Sequence, residues 1–269
     1  MKIIDCFIFY NEIELLNYRL NILHKVVDYF IIVESRHTFI GKEKPLFFEL
    51  NKSVFEKFQD KIIHIIVEDF PHKYPNINIS NGEQWNNERY QRNCIKNGFD
   101  KIKLNDDDIL VITDIDEIPN RDILEKIKNN EINITINVLE MDFYYCNLNH
   151  KKKVKWPSAR IISYDFYKKL SLTINDIRFY SCSEILNAGW HLSYFGNGEF
   201  IKNKIENFSH QELNIPIYTD IKNINKRLIS NADVFDRQDK NNIADIIPVK
   251  DNSNLPHEYE IYLKNFVLF

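Results

Sequence analysis

Three acidic residues, Asp114, Asp116 and Glu117, lie close together near the middle of the chain. They follow Ile109-Leu-Val-Ile112, a run of aliphatic residues that is too short for a helix and is typical of a buried strand. Three carboxylates at this spacing would repel one another in a site that excludes water, so the pattern indicates a divalent cation that neutralises them. An acidic turn exposed to solvent is the alternative, because aspartate is also common in turns.

The chemistry that this pattern favours is the binding of a metal ion together with phosphate. Carboxylate oxygens are hard ligands that suit Mn²⁺ or Mg²⁺. In an open α/β sheet, ligands bind at the carboxyl ends of the strands. Asp114 and Asp116, which follow the predicted strand and precede the breaker Pro119, are therefore the predicted metal and phosphate ligands.

Strands and helices alternate along the first part of the chain. The residue patterns predict strands over 2–9, 29–34 and 61–67 and helices over 12–23 and 83–97, the first capped by Asn11 and the second ended by Gly98. Short strand–helix–strand connections predict parallel strands with right-handed crossovers. The end of the first strand and the acidic run should then share one edge of the sheet.

The second part of the chain contains a segment that is rich in glycine and aromatic residues. Before this segment, a helix is predicted over 120–129 and strands over 134–139 and 141–148. After it, helices are predicted over 199–208 and 223–230. Half of the six glycines fall within 188–198, beside Trp190 and His191. Glycine lacks a Cβ, so its concentration here predicts a close approach to another strand or to a ligand.

Length and composition limit the classes of protein to which the chain can belong. With 269 residues, 44% of them hydrophobic, the chain can form one large α/β domain. A formal net charge of -4 gives no overall basic field, so no nucleic-acid partner is predicted. No apolar run is long enough to span a bilayer, and the four scattered cysteines suit reduced thiols. We therefore predict a soluble, cytoplasmic protein whose oligomeric state the sequence leaves open.

Several segments of the chain occur in an order that matches one enzyme family. They are Asn11-Glu-Ile-Glu-Leu-Leu16 with Arg19-Leu20, residues 27–35 with Thr38 and Gly41, Lys44-Pro-Leu46, residues 107–119, and Ala188-Gly-Trp-His-Leu-Ser193 with Glu199, Ile201 and Lys204. In this combination the chain resembles glycosyltransferase family 17. That family includes the animal enzyme that adds the bisecting N-acetylglucosamine to N-glycans. The likeness weakens between residues 137 and 186 and near the C-terminus.

The resemblance implies a GT-A type (Rossmann-like) α/β fold with a mixed central sheet flanked by helices. It also implies an inverting transfer from a UDP-sugar donor, UDP-N-acetylglucosamine in the animal member, to a hydroxyl of a glycan acceptor. Residues 1–119 would form the nucleotide-sugar-binding half of a single domain 1–269, and residues 120–269 the acceptor-binding half. The chain departs from the animal enzymes in lacking an N-terminal membrane anchor and stem, which leaves the acceptor open.

The matching segments supply candidate residues for the cation and the donor diphosphate. The resemblance implies that Asp114 and Asp116 form an Asp-x-Asp motif that holds Mn²⁺ or Mg²⁺ against the two phosphates. His191 is a candidate for a further metal contact, because related folds bring a C-terminal histidine back to the cation; a histidine packed in the core is the alternative. Lys204 and Arg92 are candidates for the remaining phosphate charge, and a solvated helix face is the alternative for both.

Two further residues are candidates for binding the uridine of the donor. Asn11 and Glu34 lie at the ends of the first and second predicted strands, and Glu34 can accept hydrogen bonds from the base or the ribose. The alternative for Glu34 is a surface ion pair with Arg36 or Lys42, which would contribute little stability.

An inverting transfer also needs a base that deprotonates the acceptor hydroxyl. Glu117, beside the predicted metal site, and Glu199, after the Gly-Trp-His segment, both match the family pattern, and Asp236 is a third candidate. Glu212 and Asp142 rank lower because they have no counterpart in that pattern.

Two other functions are compatible with parts of the sequence. A strand ending in Asp-x-Asp is also the nucleophile motif of phosphohydrolases of the haloacid dehalogenase type, although Ile118 stands where that motif has Thr or Val. The second is a catalytically inactive glycan-binding protein on the same fold, with aromatic residues stacking on sugars. If the chain is a transferase, the aromatic residues at 143–145 and Trp156 are candidates for stacking on the acceptor; packing in the core is the alternative, and for Phe143 it is the favoured one.

Overall fold

The computed structural model describes residues 1–240 and 242–267. Within these ranges, ten strands form one mixed sheet. The strands are β1 (Ile3–Phe9), β2 (Tyr29–Ser35), β3 (Ile62–Val67), β4 (Ile109–Asp114), β5 (Glu117–Pro119), β6 (Ile136–Tyr145), β7 (His150–Lys152), β8 (Arg160–Ser163), β9 (Glu184–Ser193) and β10 (Ala244–Ile246). Eight of them follow the order β10-β7-β6-β8-β4-β1-β2-β3, and β9 pairs with both β5 and β6.

Helices flank this sheet. The α-helices of the same ranges are α1 (Ile13–Leu23), α2 (Phe47–Leu50), α3 (Glu83–Asn93), α4 (Lys96–Phe99), α5 (Arg121–Lys128), α6 (Tyr164–Lys169), α7 (Ile174–Ile177), α8 (Gly198–Asn207), α9 (Pro216–Thr219), α10 (Ile221–Ile229) and α11 (Tyr259–Tyr262). Five 3₁₀ segments accompany them, at Lys52–Lys61, Ile79–Asn81, Gln211–Leu213, Val249–Asp251 and Lys264–Phe266. None of these helices is long and apolar enough to cross a membrane.

The central strand β1 is buried along its whole length. Its alternate residues belong to two separate apolar clusters, with Ile3 and Phe7 in one and Ile4 and Cys6 in the other. Because successive side chains of a strand point to opposite faces, the sheet is covered on both sides. The strands β1, β2, β3 and β4 pair in parallel, which confirms the predicted α/β fold with a mixed central sheet flanked by helices.

Two predicted elements differ in detail from the structure. The helix predicted over 83–97 divides into α3 and α4, and Gly98 lies inside α4 instead of ending a helix. A Cβ at Gly98 would lie 2.7 Å from the side chain of Ile31, so this glycine permits close packing of α4 on β2. The two strands predicted over 134–148 form the single strand β6, whose pairing with β9 is interrupted by an irregularity between Leu139 and Met141.

The strand β9 brings the second part of the chain to the acidic run. It pairs antiparallel with β5, which places His191 opposite Glu117 and Gly189 opposite Pro119. A Cβ at Gly189 would lie 2.3 Å from the carbonyl oxygen of Ile118. The close approach predicted for this glycine is therefore to a strand and not to a ligand.

Candidate functional site

A cleft of about 910 Å³ opens where β1 and β4 end. Its walls include Phe9 of β1, Asp114 and Asp116 from the end of β4, His191 of β9 and Lys204 of α8. The prediction that the end of β1 and the acidic run share one edge of the sheet is therefore confirmed. The cleft combines apolar rings with acidic and basic side chains, as sites for small ligands commonly do.

The turn between β4 and β5, residues 114–117, is bound by the side chain of Arg19 of α1. This fully buried guanidinium donates hydrogen bonds to the carbonyl oxygens of Asp114 at 2.9 Å, Ile115 at 3.2 Å and Glu117 at 2.9 Å. Its other nitrogens bind both carboxylate oxygens of Asp5, at 2.7 and 2.5 Å. One side chain thus donates to three carbonyl groups of the turn, and it fixes the backbone there.

Glu117 is a buried residue whose hydrogen bonds stabilise the turn. Its carboxylate accepts two hydrogen bonds from Arg178, both at 2.7 Å, one from Nε1 of Trp156 at 2.7 Å and one from the backbone N–H of Asp114 at 2.9 Å. The side chain is fully buried and does not line the cleft. The geometry therefore favours a structural role for Glu117 over the predicted role as the base, because Arg178 and Trp156 already bind its oxygens away from the cleft.

Asp114 is engaged by two guanidinium groups. An oxygen of Asp114 lies 3.1 Å from Nη2 of Arg92, and its other oxygen lies 3.1 Å from Nη2 of Arg178. Burial by itself would raise the pKa of Asp114, but the charges of Arg178 and Arg92 outweigh burial and lower it. Arg92 is thus not on a solvated face; it is buried and holds an acid of the motif.

Asp116 lies between Lys204 and His191. Its two oxygens are 3.2 Å from Nζ of Lys204 and 3.6 Å from Nε2 of His191. Burial would raise the pKa of Asp116, but the ammonium and the imidazole outweigh it and hold that pKa well below its usual range. Lys204 also lies 3.5 Å from Glu12, and these carboxylates raise its pKa although burial alone would lower it.

These ion pairs change the argument for a metal ion. The repulsion among the three acids is already relieved by Arg92, Arg178 and Lys204, so it does not by itself require a cation. In the described ranges, no group of three or more His, Cys, Asp or Glu side chains has an arrangement that could hold a metal ion. Asp114 is the less suitable ligand of the predicted pair, because guanidinium groups occupy both of its oxygens.

Asp116 and His191 nevertheless fit a cation that brings its own ligands. Nδ1 of His191 is buried and has no hydrogen-bond partner in the described structure, and Nε2 lies beside Asp116. Mg²⁺ is commonly held by one or two carboxylates while substrate phosphates and water complete its shell. The two side chains therefore suit a cation bound together with a diphosphate, and they do not suit one held by the protein alone.

The residues predicted to bind uridine lie outside the cleft. Glu34 is fully buried, where its carboxylate accepts a hydrogen bond from the N–H of Phe48 at 3.1 Å and contacts His64 at 3.1 Å. Asn11 lines a separate cavity of about 540 Å³, and it does not cap α1. Both predictions rest on position at a strand end, and neither residue is among those that line the cleft.

Two of the predicted bases also lie elsewhere. Glu199 is an exposed residue in the first turn of α8, and Asp236 pairs with Arg227. Neither lines the cleft, although Arg237, the neighbour of Asp236, does. The carboxylates that do line the cleft are those of Glu12, Glu88, Asp114, Asp116 and Glu212.

Glu212 differs from the other four carboxylates of the cleft. It is 62% exposed, and the partner that the described structure gives it is Nδ1 of His210, at 2.6 Å. Each of the other four lies within 3.5 Å of a lysine or arginine nitrogen. Glu212 ranked low in the sequence analysis because it has no counterpart in the family pattern, and no local pattern around it predicted that it faces the cleft.

Arg178 is a second residue that the sequence did not reveal. It holds both Glu117 and Asp114, yet it lies in the part of the chain where the family likeness is weakest. It follows α7, whose N-terminus is fixed by a reciprocal pair of hydrogen bonds between Thr173 and Asp176. A single arginine after a short helix carries no recognisable motif, so only the tertiary structure identifies its partner.

Comparison with known proteins identifies the family to which the chain belongs. The family model described as glycosyltransferase family 17 matches residues 1–256. Similar curated proteins are β-1,4-mannosyl-glycoprotein 4-β-N-acetylglucosaminyltransferases. The one from Rattus norvegicus is 32% identical over 127 residues, 45% of this chain and 22% of the relative, and the one from Homo sapiens is 33% identical over 118 residues, 42% and 21% respectively. The matched region thus spans about a fifth of the length of these relatives.

Solved structures show weaker likeness. The crystal structure of S. aureus TarS 1–349 has a TM-score of 0.40 at 11% identity and covers 77% of this chain and 65% of that one. A 4-diphosphocytidyl-2C-methyl-D-erythritol synthase has a TM-score of 0.37 at 10% identity and covers 68% and 88%. Both scores are too low to establish a shared fold. The family model, in contrast, covers nearly the whole sequence, and the chain belongs to glycosyltransferase family 17.

Proposed function

We propose that the chain transfers a sugar, N-acetylglucosamine in the first instance, from a UDP-sugar to a hydroxyl of a glycan, with inversion and with the help of Mn²⁺ or Mg²⁺. The observation that carries this proposal is Asp116 in the wall of the cleft, between Lys204 and His191. Membership in a glycosyltransferase family removes the basis for the phosphohydrolase alternative. The GT-A type of the fold and the cytoplasmic location stay predictions from the sequence.

Charge in the cleft supports a diphosphate as the leaving group. Lys204 and Arg237 line the cleft with Lys44, and all three are cations on its wall. Asp116 and His191 would hold the cation, which supplies charge neutralisation for the leaving diphosphate. The ammonium of Lys204 is shared between Asp116 and Glu12 at 3.2 and 3.5 Å, so it is placed to turn toward a phosphate oxygen of the donor.

The base in this proposal is Glu212. It lines the cleft, it is exposed, and its contact with His210 leaves carboxylate lone pairs available to accept a proton. The names of the relatives suggest an acceptor with β-1,4-linked mannose and an N-acetylglucosaminyl donor. We adopt both for this chain as part of the proposal.

Thermal unfolding in the presence of nucleotide sugars tests the proposal. A ligand at about 100 times its Kd adds about 2.7 kcal/mol to the free energy of unfolding, which shifts the Tm of a protein of this size by roughly 5 to 10 °C. We expect a shift of this size with UDP-N-acetylglucosamine and Mn²⁺, and a smaller one when a chelator replaces the metal. GDP-mannose serves as the nucleotide control.

Two variants make the measurement specific to the cleft. Asp116→Asn keeps the shape of the side chain but removes its charge, and it should lose the part of the shift that depends on Mn²⁺. Asp122→Asn is the matched control, because Asp122 is an exposed residue of α5. If no nucleotide sugar shifts the wild-type Tm, the donor assignment is wrong, and a glycan-binding protein without activity becomes the better interpretation.

A further inference from the structure

Phe179 is a large apolar side chain that remains in contact with water. It is 74% exposed, and it lines the same cleft as Asp116 and His191. A single exposed apolar residue on an ordinary surface needs no explanation. In the wall of a cleft, however, an uncovered ring provides a flat apolar surface for a ligand.

The backbone that carries Phe179 is well fixed. The preceding residue, Arg178, is buried and bound to Glu117 and Asp114. The N–H of Phe179 donates to the carbonyl oxygen of Asp176 at 3.0 Å, and the following residue, Tyr180, packs against an apolar cluster. The ring is therefore presented by an ordered segment, so a ligand that stacks on it would not first have to order a loop.

Three other aromatic rings of the cleft already have ring partners. Trp156 and Phe143, which were predicted to stack on the acceptor, pack against His191 at ring-centroid distances of 4.1 and 4.7 Å. Trp85 packs edge-to-face on His210 at 4.6 Å. Phe179 has no such pairing with another ring in the part of the chain that the structure describes, so its face is available to a ligand.

We infer that Phe179 is the stacking platform for a pyranose ring of the glycan acceptor, an assignment that rests on the proposed function. One face of a pyranose is rich in C–H groups that pack on an aromatic ring, while its hydroxyl groups need polar partners. Ser158, Lys155 and the proposed base Glu212 line the same cleft and can supply them.

The donor diphosphate gains nothing from this ring. In the proposed function its charge faces Lys204 and Arg237, which line the cleft as cations, whereas the ring of Phe179 is apolar. The uracil of the donor is the competing occupant, because its flat face can also stack on a phenylalanine. The two occupants predict different kinetics, since the acceptor assignment affects only reactions in which an acceptor takes part.

The experiment compares two reactions in Phe179→Ala. The first is release of UDP from UDP-N-acetylglucosamine without acceptor, and the second is its stimulation by methyl β-D-mannopyranoside or by a trisaccharide of β-1,4-linked mannose on chitobiose. We expect the acceptor KM to rise roughly tenfold, while UDP affinity and acceptor-free release stay unchanged. Phe179→Tyr should retain the wild-type KM. Leu50→Ala, at an equally exposed apolar residue that does not line the cleft, is the matched control.

Two results would overturn the assignment while leaving the transferase proposal intact. The first is an acceptor KM in Phe179→Ala equal to that of the wild type. The second is a loss of UDP affinity in Phe179→Ala as large as the loss of acceptor affinity, which would place the uracil on the ring. A wild-type protein that binds the donor but responds to neither mannoside would overturn both this assignment and the mannose acceptor of the proposed function. Failure of the wild type to bind or cleave any nucleotide sugar would instead refute the proposed function itself.

Discussion

Replacement of Glu212 by glutamine is expected to lower the rate of sugar transfer by about 10²- to 10⁴-fold, the usual contribution of a positioned general base. Glutamine keeps the size of the side chain but cannot take a proton from the acceptor hydroxyl. The shift in Tm caused by UDP-N-acetylglucosamine should be the same in variant and wild type, because the donor is bound elsewhere in the cleft.

Two matched variants separate this role from a general effect of removing an acid. Glu199→Gln and Asp236→Asn remove the charge of residues that the sequence suggested as bases but that lie outside the cleft. Both should transfer sugar at rates close to that of the wild type. A large loss in Glu199→Gln together with normal activity in Glu212→Gln would move the base to α8 and show that the cleft rearranges when substrates bind.

Replacement of Arg19 by methionine is expected to lower the free energy of unfolding by about 3 to 5 kcal/mol, as found when one partner of a buried ion pair is removed. The substitution would leave Asp5 charged and buried, and it would remove the donors to three carbonyl groups of the acidic turn. Urea unfolding followed by circular dichroism measures the loss. In Arg36→Met, which breaks an exposed pair with Glu68, the change should stay within about 0.5 kcal/mol.

A double variant separates the two functions of Arg19. In Asp5→Leu combined with Arg19→Met, no buried charge remains unpaired, so the part of the loss that comes from the ion pair should be recovered. The carbonyls of Asp114, Ile115 and Glu117 would still lack their donor. Full recovery of wild-type stability would show that these three hydrogen bonds contribute nothing measurable.

Local sequence patterns were sufficient for the elements that carry the acids. The aliphatic run of β4 and the periodicity of α1 depend on neighbouring residues alone, and both elements are where they were predicted. Parallel pairing of β1 with β2 and β4 followed from the strand–helix–strand order. The proximity of Asp116, His191 and Lys204 also agrees with prediction, since β9 and α8 return to the end of β4.

The partners of individual side chains could not be read in the same way. Glu117 is adjacent in sequence to the site and looks catalytic, but its direction is set by Arg178, 61 residues away. Glu34 ends a strand as Asp114 does, yet the N–H of Phe48 and the ring of His64 hold it inside. The direction of each side chain depends on which distant residue packs against the strand end. Local sequence patterns do not predict that packing.

The turn between β4 and β5 has a further property that follows from its long-range contacts. Arg19 and Arg178 clamp it from positions about 95 residues before and 60 residues after it in the chain. A loop tied in this way cannot open alone, because opening would expose both guanidinium groups together with the cores around them. The backbone amide of Asp114, bound to the carboxylate of Glu117, should therefore exchange its hydrogen for deuterium about as slowly as the amides of β1. The residues that meet the substrates would then belong to the last part of the molecule to unfold.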